Sequence, residues 1–215
     1  MIEVVFPRNQ EQAVQMAAYM KNHFDFAGVQ ATERKQLCKA LLKESKKMSY
    51  EDLFDLIIFY YEKKEREYHY LGIDLAIQNV KKMTLEEVLR FKPYVIKNVW
   101  WDSVDAWRKF FGLWCETHFE EMPVVFDAFY GEENFWYRRV ALNLQLMFKN
   151  KTNTELLEKA ILYDKNTEEF FIQKAIGWSL RQYSKTNPEW VQQFIEANKL
   201  SQLAVREGSK YLPKQ

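Results

Sequence analysis

The stretch "TEEFFIQKAIGWSLRQYSK" (residues 167–185), followed by "PEWVQQFIEANK" (188–199), decides the fold. Both segments are amphipathic at helical spacing, and only Thr186 and Asn187 separate them. A connection that short makes consecutive helices pack as an antiparallel pair. Working outward, the same pattern recurs over 11–24, 31–47, 49–65, 66–82, 84–97, 100–119, 121–131, 133–150, 152–165 and 201–212.

In the first of these, "EQAVQMAAYMKNHF", Val14, Ala17, Ala18 and Lys21 share a face, with Met16 and Met20 on the next. In "ATERKQLCKALLKESKK" (31–47), Leu37, Leu41 and Leu42 are expected inside, and Thr32 is read as the cap with Lys35 at N3. Thr84 and Glu87 have the spacing of a capping box. Only six glycines and five prolines are present, so loops must be few and short. Helical pairs recur at roughly 35 to 40 residues, the period of HEAT-type repeats, which stack into a curved solenoid with a concave face. No compositional break marks a boundary, so the expectation is an all-α solenoid with residues 1–215 forming a single domain.

The formal net charge of +1 does not by itself suggest a nucleic-acid binder, but charge is unevenly placed. Arg34, Lys35, Lys39, Lys43, Lys46 and Lys47 face only Glu44 across residues 34–47. The row Lys35, Lys39, Lys43, Lys47 repeats at i+4. It reads either as a solvated face or as a ridge that follows phosphates. Cys38 and Cys115 lack zinc or CxxC spacing and read as buried reduced thiols. His23, His69 and His118 are too scattered for a metal site, and neither GxSxG nor a glycine-rich phosphate loop occurs. No metal and no cofactor are expected. The N-terminus has no signal-peptide pattern, and no apolar run reaches the roughly 20 residues of a membrane span, so a cytoplasmic protein is expected.

"WWDSVDAW" (100–107) puts Trp101 one helical turn before Asp105. Asp102 as N-cap with Asp105 three residues on would imitate a capping box, and Arg108 and Lys109 could pair with Asp105 at the surface. Alternatively, Asp105 stands beside an apolar wall for chemistry. In "FWYRRVAL" (135–142) adjacent helical side chains diverge by about 100°. At most one of Arg138 and Arg139 should therefore share the burial direction, leaving the other to reach across the concave face. Trp178 and Arg181, three apart, could stack together and neutralise a phosphodiester, or be a core ring beside a surface arginine.

The strings "YMKNHFDFAGVQ" (19–30), "WWDSVD", "FWYRRVAL" and "EFFIQKAIGWSLRQYSKTNP" (169–188) together resemble the DNA alkylation repair family of HEAT-like-repeat glycosylases, the AlkD-like proteins. The resemblance extends from "AAYMKNHF" to "REGSKYL", nearly the whole chain. It implies a concave basic groove on duplex DNA containing alkylated bases. It also implies hydrolysis of the N-glycosidic bond of cationic bases such as 3-methyladenine and 7-methylguanine, without insertion of the base into a tight pocket. Carried over, the catalytic carboxylate is Asp105, the aromatic walls are Trp101 and Trp178, and the groove arginine that holds a flanking phosphate is Arg139. Tyr19, Gln30 and Arg181 match positions that approach DNA, with Arg138, Lys35, Lys39 and Lys43 added as cationic contacts. A monomer is expected.

Two departures from the family pattern stand out. "MIEVVFPR" (1–8) is too short for the extra leading helix that family enzymes carry. Ala31-Thr32 follows Gln30 where the family commonly has Thr-Pro. They motivate an alternative reading, a non-catalytic HEAT-repeat member that binds nucleic acid or protein.

Overall fold

The computed structural model describes residues 3–213, and among these there are twelve α-helices and no strands. The expected all-α helical-repeat fold is what the chain adopts. Two compact units are formed, Met1–Glu87 and Val88–Gln215.

The first unit contains α1 (Gln10–Tyr19), α2 (Ala31–Ser45), α3 (Tyr50–Tyr61) and α4 (Arg66–Asn79), while α5 (Leu85–Leu89) spans the boundary. Its centre is α4, which packs against α2 and α3. Arg66, Glu67, Tyr68, His69, Leu71 and Ile73 of α4 are all buried. Residues 3–9 form no helix, in keeping with the reading of "MIEVVFPR". Their Val4 and Phe6 are buried, and the two backbone N–H groups donate to the hydroxyls of Tyr60 (3.0 Å) and Tyr68 (3.3 Å).

Glu67, fully buried, organises the loop between α1 and α2. Its carboxylate accepts from the backbone N–H groups of Ala27 (3.0 Å), Gly28 (2.8 Å) and Val29 (3.0 Å). The three donors converge because Gly28 sits at φ +96°, a conformation other residues rarely adopt. A Cβ there would also lie 2.1 Å from the Asn9 carbonyl oxygen. Gly28→Ala is therefore expected to destabilise the first unit by at least about 1–3 kcal/mol from backbone strain alone, read as a lowered thermal midpoint.

The second unit contains α6 (Trp101–Thr117), α7 (Met122–Phe129), α8 (Phe135–Asn143), α9 (Thr154–Asp164), α10 (Phe170–Tyr183), α11 (Pro188–Ala197) and α12 (Gln202–Gly208). Alternate helices lie side by side: α8 packs between α6 and α10, and α10 packs on α12. Trp107, Phe110, Phe111 and Trp114 of α6 are fully buried, with Phe126 and Phe129 of α7. Phe91 stacks on Trp107 with ring centroids 5.5 Å apart. The inward face of α6 is thereby fixed, and with it the direction in which Asp105 points.

Several helix ends differ from expectation. The first helix stops at Tyr19, because Lys21 and Asn22 take φ +58° and +59°. The segment expected over 133–150 is helical only to Asn143, and Lys149 at φ +54° lies in the turn beyond. The segment 84–97 breaks after Leu89 into a short 3-10 turn containing Pro93. Thr84 and Glu87 do form the capping box, with Thr84 N–H to Glu87 Oε2 at 2.7 Å and Glu87 N–H to Thr84 Oγ1 at 3.3 Å. Thr32 is not a cap: Gln30 holds that position without a side-chain bond, and Thr32 lies inside the first turn. The inward face of α2 is Cys38, Leu41 and Ser45, leaving Leu37 41% exposed. In α1 it is Ala13 that is buried, while Val14 faces solvent.

Candidate active site

Asp105 lies in the second turn of α6, one turn after Trp101, the first residue of that helix. Asp102 does not cap the helix. Trp100 occupies the N-cap position, and its N–H donates to the Ser103 hydroxyl (3.3 Å) at N3, so the cap uses neither aspartate. Asp105 is thus free of a local structural duty.

Its partner comes from the neighbouring helix. Arg139 of α8 donates from Nε to Asp105 Oδ1 and from Nη2 to Oδ2, both at 2.9 Å, a two-pronged fork. Its Nη1 donates to the Phe171 carbonyl (2.6 Å) at the start of α10. Three of the five N–H donors an arginine carries are committed, so the guanidinium is fixed in plane. The side chain of Arg139 is 7% exposed and that of Asp105 is 19% exposed. A carboxylate has about four lone-pair directions, so the fork leaves Asp105 with acceptor capacity on its solvent side. Arg139 was expected to hold a flanking phosphate; its fork instead holds the carboxylate.

Trp178, half-buried on α10, receives two cations on one ring. The guanidinium carbons of Arg108 and Arg139 lie 5.6 and 6.0 Å from its centroid. Trp101 is half-buried as well. Because α6, α8 and α10 are neighbours, Trp101, Asp105, Arg139 and Trp178 come from three adjacent helices. Trp100, Trp136 and Phe171 back them, with centroids 5.3 Å (Trp100–Phe171) and 4.9 Å (Trp136–Phe171) apart.

Arg108 is not where its spacing from Asp105 suggested. It is 8% exposed rather than a surface partner of Asp105. Burial lowers its pKa; Asp105 raises it and Arg139 lowers it further. The signal was present, since buried Val104 and Phe111 stand four before and three after it. Lys109, by contrast, is exposed.

The other candidates have separate surroundings. Arg138 is largely buried and structurally engaged. Its Nε donates to both oxygens of buried Asp164 (3.1 and 3.2 Å) and its Nη1 to the carbonyls of Glu132 and Glu133 (2.7 Å each). Both arginines of the pair therefore point inward, each to its own carboxylate, where only one was expected to. Arg181 does not stack with Trp178 as a pair. It donates to Glu207 (3.2 Å), a buried carboxylate also held by Lys174 and Lys210. Within the first unit, Tyr19 is 70% exposed at the end of α1, and the Gln30 side chain donates to Gln12. Lys35, Lys39 and Lys43 form an exposed row on α2, opposite Cys38 and Leu41.

Among the described residues no group of His, Cys, Asp and Glu could hold a metal ion, and no helix is long and apolar enough to cross a membrane. Cys38 and Cys115 are buried and free, and burial pushes the thiols up to about 11 and about 12. Neither is a ready nucleophile. What remains is a carboxylate held rigid, aromatic faces, and excess positive charge around them. That set suits stabilising a cationic transition state next to a polyanion.

Residues 7–212 match the sequence profile of a family described as "DNA alkylation repair enzyme". A solved structure described as a "predicted DNA alkylation repair enzyme from Enterococcus faecalis" is similar at 62% identity, over 99% of this chain and 100% of that one, with a TM-score of 0.98. AlkD2 from Streptococcus mutans shares the fold at a TM-score of 0.69 and 20% identity, over 94% of this chain and 100% of that one. The protein smu.31 from Streptococcus mutans UA159 does so at 0.67 and 18%, over 94% and 98%. No curated protein matches the chain by sequence.

Proposed function

Because the chain belongs to the DNA alkylation repair enzyme family, we propose that it is a DNA glycosylase for cationic alkylated purines, 3-methyladenine and 7-methylguanine among them. It acts on duplex DNA by hydrolysing the N-glycosidic bond, without drawing the base into a pocket. The observation that carries this reading is the Arg139 fork on Asp105, which presents a fixed, partly exposed carboxylate on a helix that also carries Trp101.

The chemistry is suited to those groups. An alkylated purine already bears positive charge, so it leaves without protonation by a general acid. As the C1′–N bond breaks, its electron pair neutralises the departing base and the deoxyribose becomes oxocarbenium-like. Asp105 stabilises that cation and orients the water that adds to C1′; the water's proton passes to the carboxylate or to solvent. Trp101 and Trp178 offer electron-rich faces to the same developing charge. Arg139 is a positioning residue that keeps both carboxylate oxygens aimed. Tyr19, Gln30, Lys35, Lys39 and Lys43 contact the DNA from the first unit, and Arg181 does so from the second. The protein works as a monomer, in the cytoplasm, without metal or cofactor.

The test is release of 7-methylguanine and 3-methyladenine from methylated duplex DNA by the wild-type chain, with and without a chelator. Release in both conditions is expected. Intact DNA binding with no release would instead identify a non-catalytic nucleic-acid-binding member of the family.

A further inference from the structure

An open cleft of about 500 Å³ lies between the C-terminal half of α6 and the turn after α8, and the chemistry above makes no use of it. Arg108, Lys109, Lys149 and Lys151 line it against a single carboxylate, Glu116. Leu144 and Phe148 give it an apolar floor. Gly112 fixes its depth, since a Cβ at that position would meet the Leu144 carbonyl oxygen at 2.7 Å.

Arg108 gives the cleft its meaning. The residue is 8% exposed, and its Nε is buried with no hydrogen-bond partner among the described residues. The carboxylate that acts on it, Asp105, is gripped through both oxygens by Arg139 and, among the described residues, forms no hydrogen bond with Arg108. Two buried arginines therefore share one carboxylate and one tryptophan ring. A buried cation that has only a share of one counter-charge is costly, and an anion bound in the cleft would offset that cost. Among the described residues, none of Lys109, Lys149 and Lys151 forms an ion pair either. A flat, forked guanidinium backed by three ammonium groups matches a phosphate.

We propose that this cleft seats one phosphodiester of the DNA strand, held by Arg108 with Lys109, Lys149 and Lys151. The strand's identity rests on the glycosylase reading: the phosphate belongs to the strand whose damaged sugar faces Asp105. Arg108 spans the cleft and the Trp178 ring, so a phosphate seated there fixes the register of that strand relative to the carboxylate.

The test uses a duplex carrying a tetrahydrofuran abasic analogue, with binding followed by fluorescence anisotropy as salt is raised. Arg108→Gln, and separately the pair Lys149→Gln with Lys151→Gln at exposed positions, are each expected to weaken binding about tenfold at low salt. The salt slope should fall by about one, as for the loss of one phosphate contact. A neutral methylphosphonate at one linkage near the analogue should weaken wild-type binding equally and leave the variants unaffected. Variants that bind like wild type, or that lose affinity without any single linkage accounting for it, would overturn the proposal. Base release measured on the same preparations separates the two readings. Absent release with the linkage effect intact supports the cleft and rejects only the enzyme; normal release with unchanged binding by the variants rejects only the cleft.

Discussion

Asp105→Asn is expected to cut release of 7-methylguanine from methylated duplex DNA by about 10²–10³-fold, roughly 3–4 kcal/mol at the transition state. The substitution keeps the shape and removes the charge that opposes the developing sugar cation. It also has a local cost. An amide offers one oxygen where the carboxylate offered two, so either Nε or Nη2 of Arg139 loses its acceptor. Leaving that donor buried costs about 1–3 kcal/mol of stability, toward the low end because Asp105 is partly exposed. Affinity for intact duplex should hold or rise, since a negative charge has left a surface that meets phosphates. Single-turnover rates, thermal midpoints and binding constants measured together separate the three effects. Equal release by the two proteins would remove Asp105 from the mechanism.

Glu67→Ala is expected to have the largest effect on stability. It strips the acceptor from the N–H groups of Ala27, Gly28 and Val29, all buried, and leaves a cavity where the carboxylate was. At about 1–3 kcal/mol for each of the three orphaned donors, the loss is on the order of 3–9 kcal/mol, comparable with the whole stability of many domains. Glu67→Gln should cost less. With its oxygen in the Oε1 place it still serves Gly28 and Val29, and sets an NH₂ against the Ala27 N–H alone. All seven tryptophans lie beyond residue 88, in the second unit, so their fluorescence reads that unit. Circular dichroism reads both. A urea transition that moves in both signals together is expected if the two units behave as one domain; a shift in dichroism alone would separate them.

Most of the fold was legible because helical periodicity is a local property. Each of the twelve amphipathic segments corresponds to one helix, and Thr84 with Glu87 behaves as its spacing predicts. The ends were harder to read. Lys21 and Asn22 take left-handed backbone conformations that no glycine advertises, so the helix before them stops early, and Lys149 does the same in the turn beyond α8. The Asp102 cap failed because the helix begins at Trp101, which puts Asp102 inside the first turn and Ser103 at N3, where its hydroxyl accepts from the Trp100 N–H.

The candidate site divides along the same line. Trp101 and Asp105 are one turn apart on α6, but their relation to Arg139 and Trp178 is long-range, and nothing in the spacing of 34 residues predicts the fork. The family resemblance singled out these four residues; periodicity alone did not. Arg108 was read as a surface group because it is charged, and at most one of Arg138 and Arg139 as facing inward. Arg108, Arg138 and Arg139 are instead mostly buried, their stems packed among apolar neighbours and, for the last two, their heads paired with carboxylates.

The two buried cysteines give each compact unit its own clock. Cys38 lies in α2 and Cys115 in α6, and each thiol is both shielded and held protonated. A thiol-alkylating reagent in excess therefore modifies each one only while its surroundings are open. Mass spectrometry of the two cysteine peptides against time yields two separate opening rates from one unmodified protein. Adding duplex DNA to the same reaction reveals which half of the chain it holds shut.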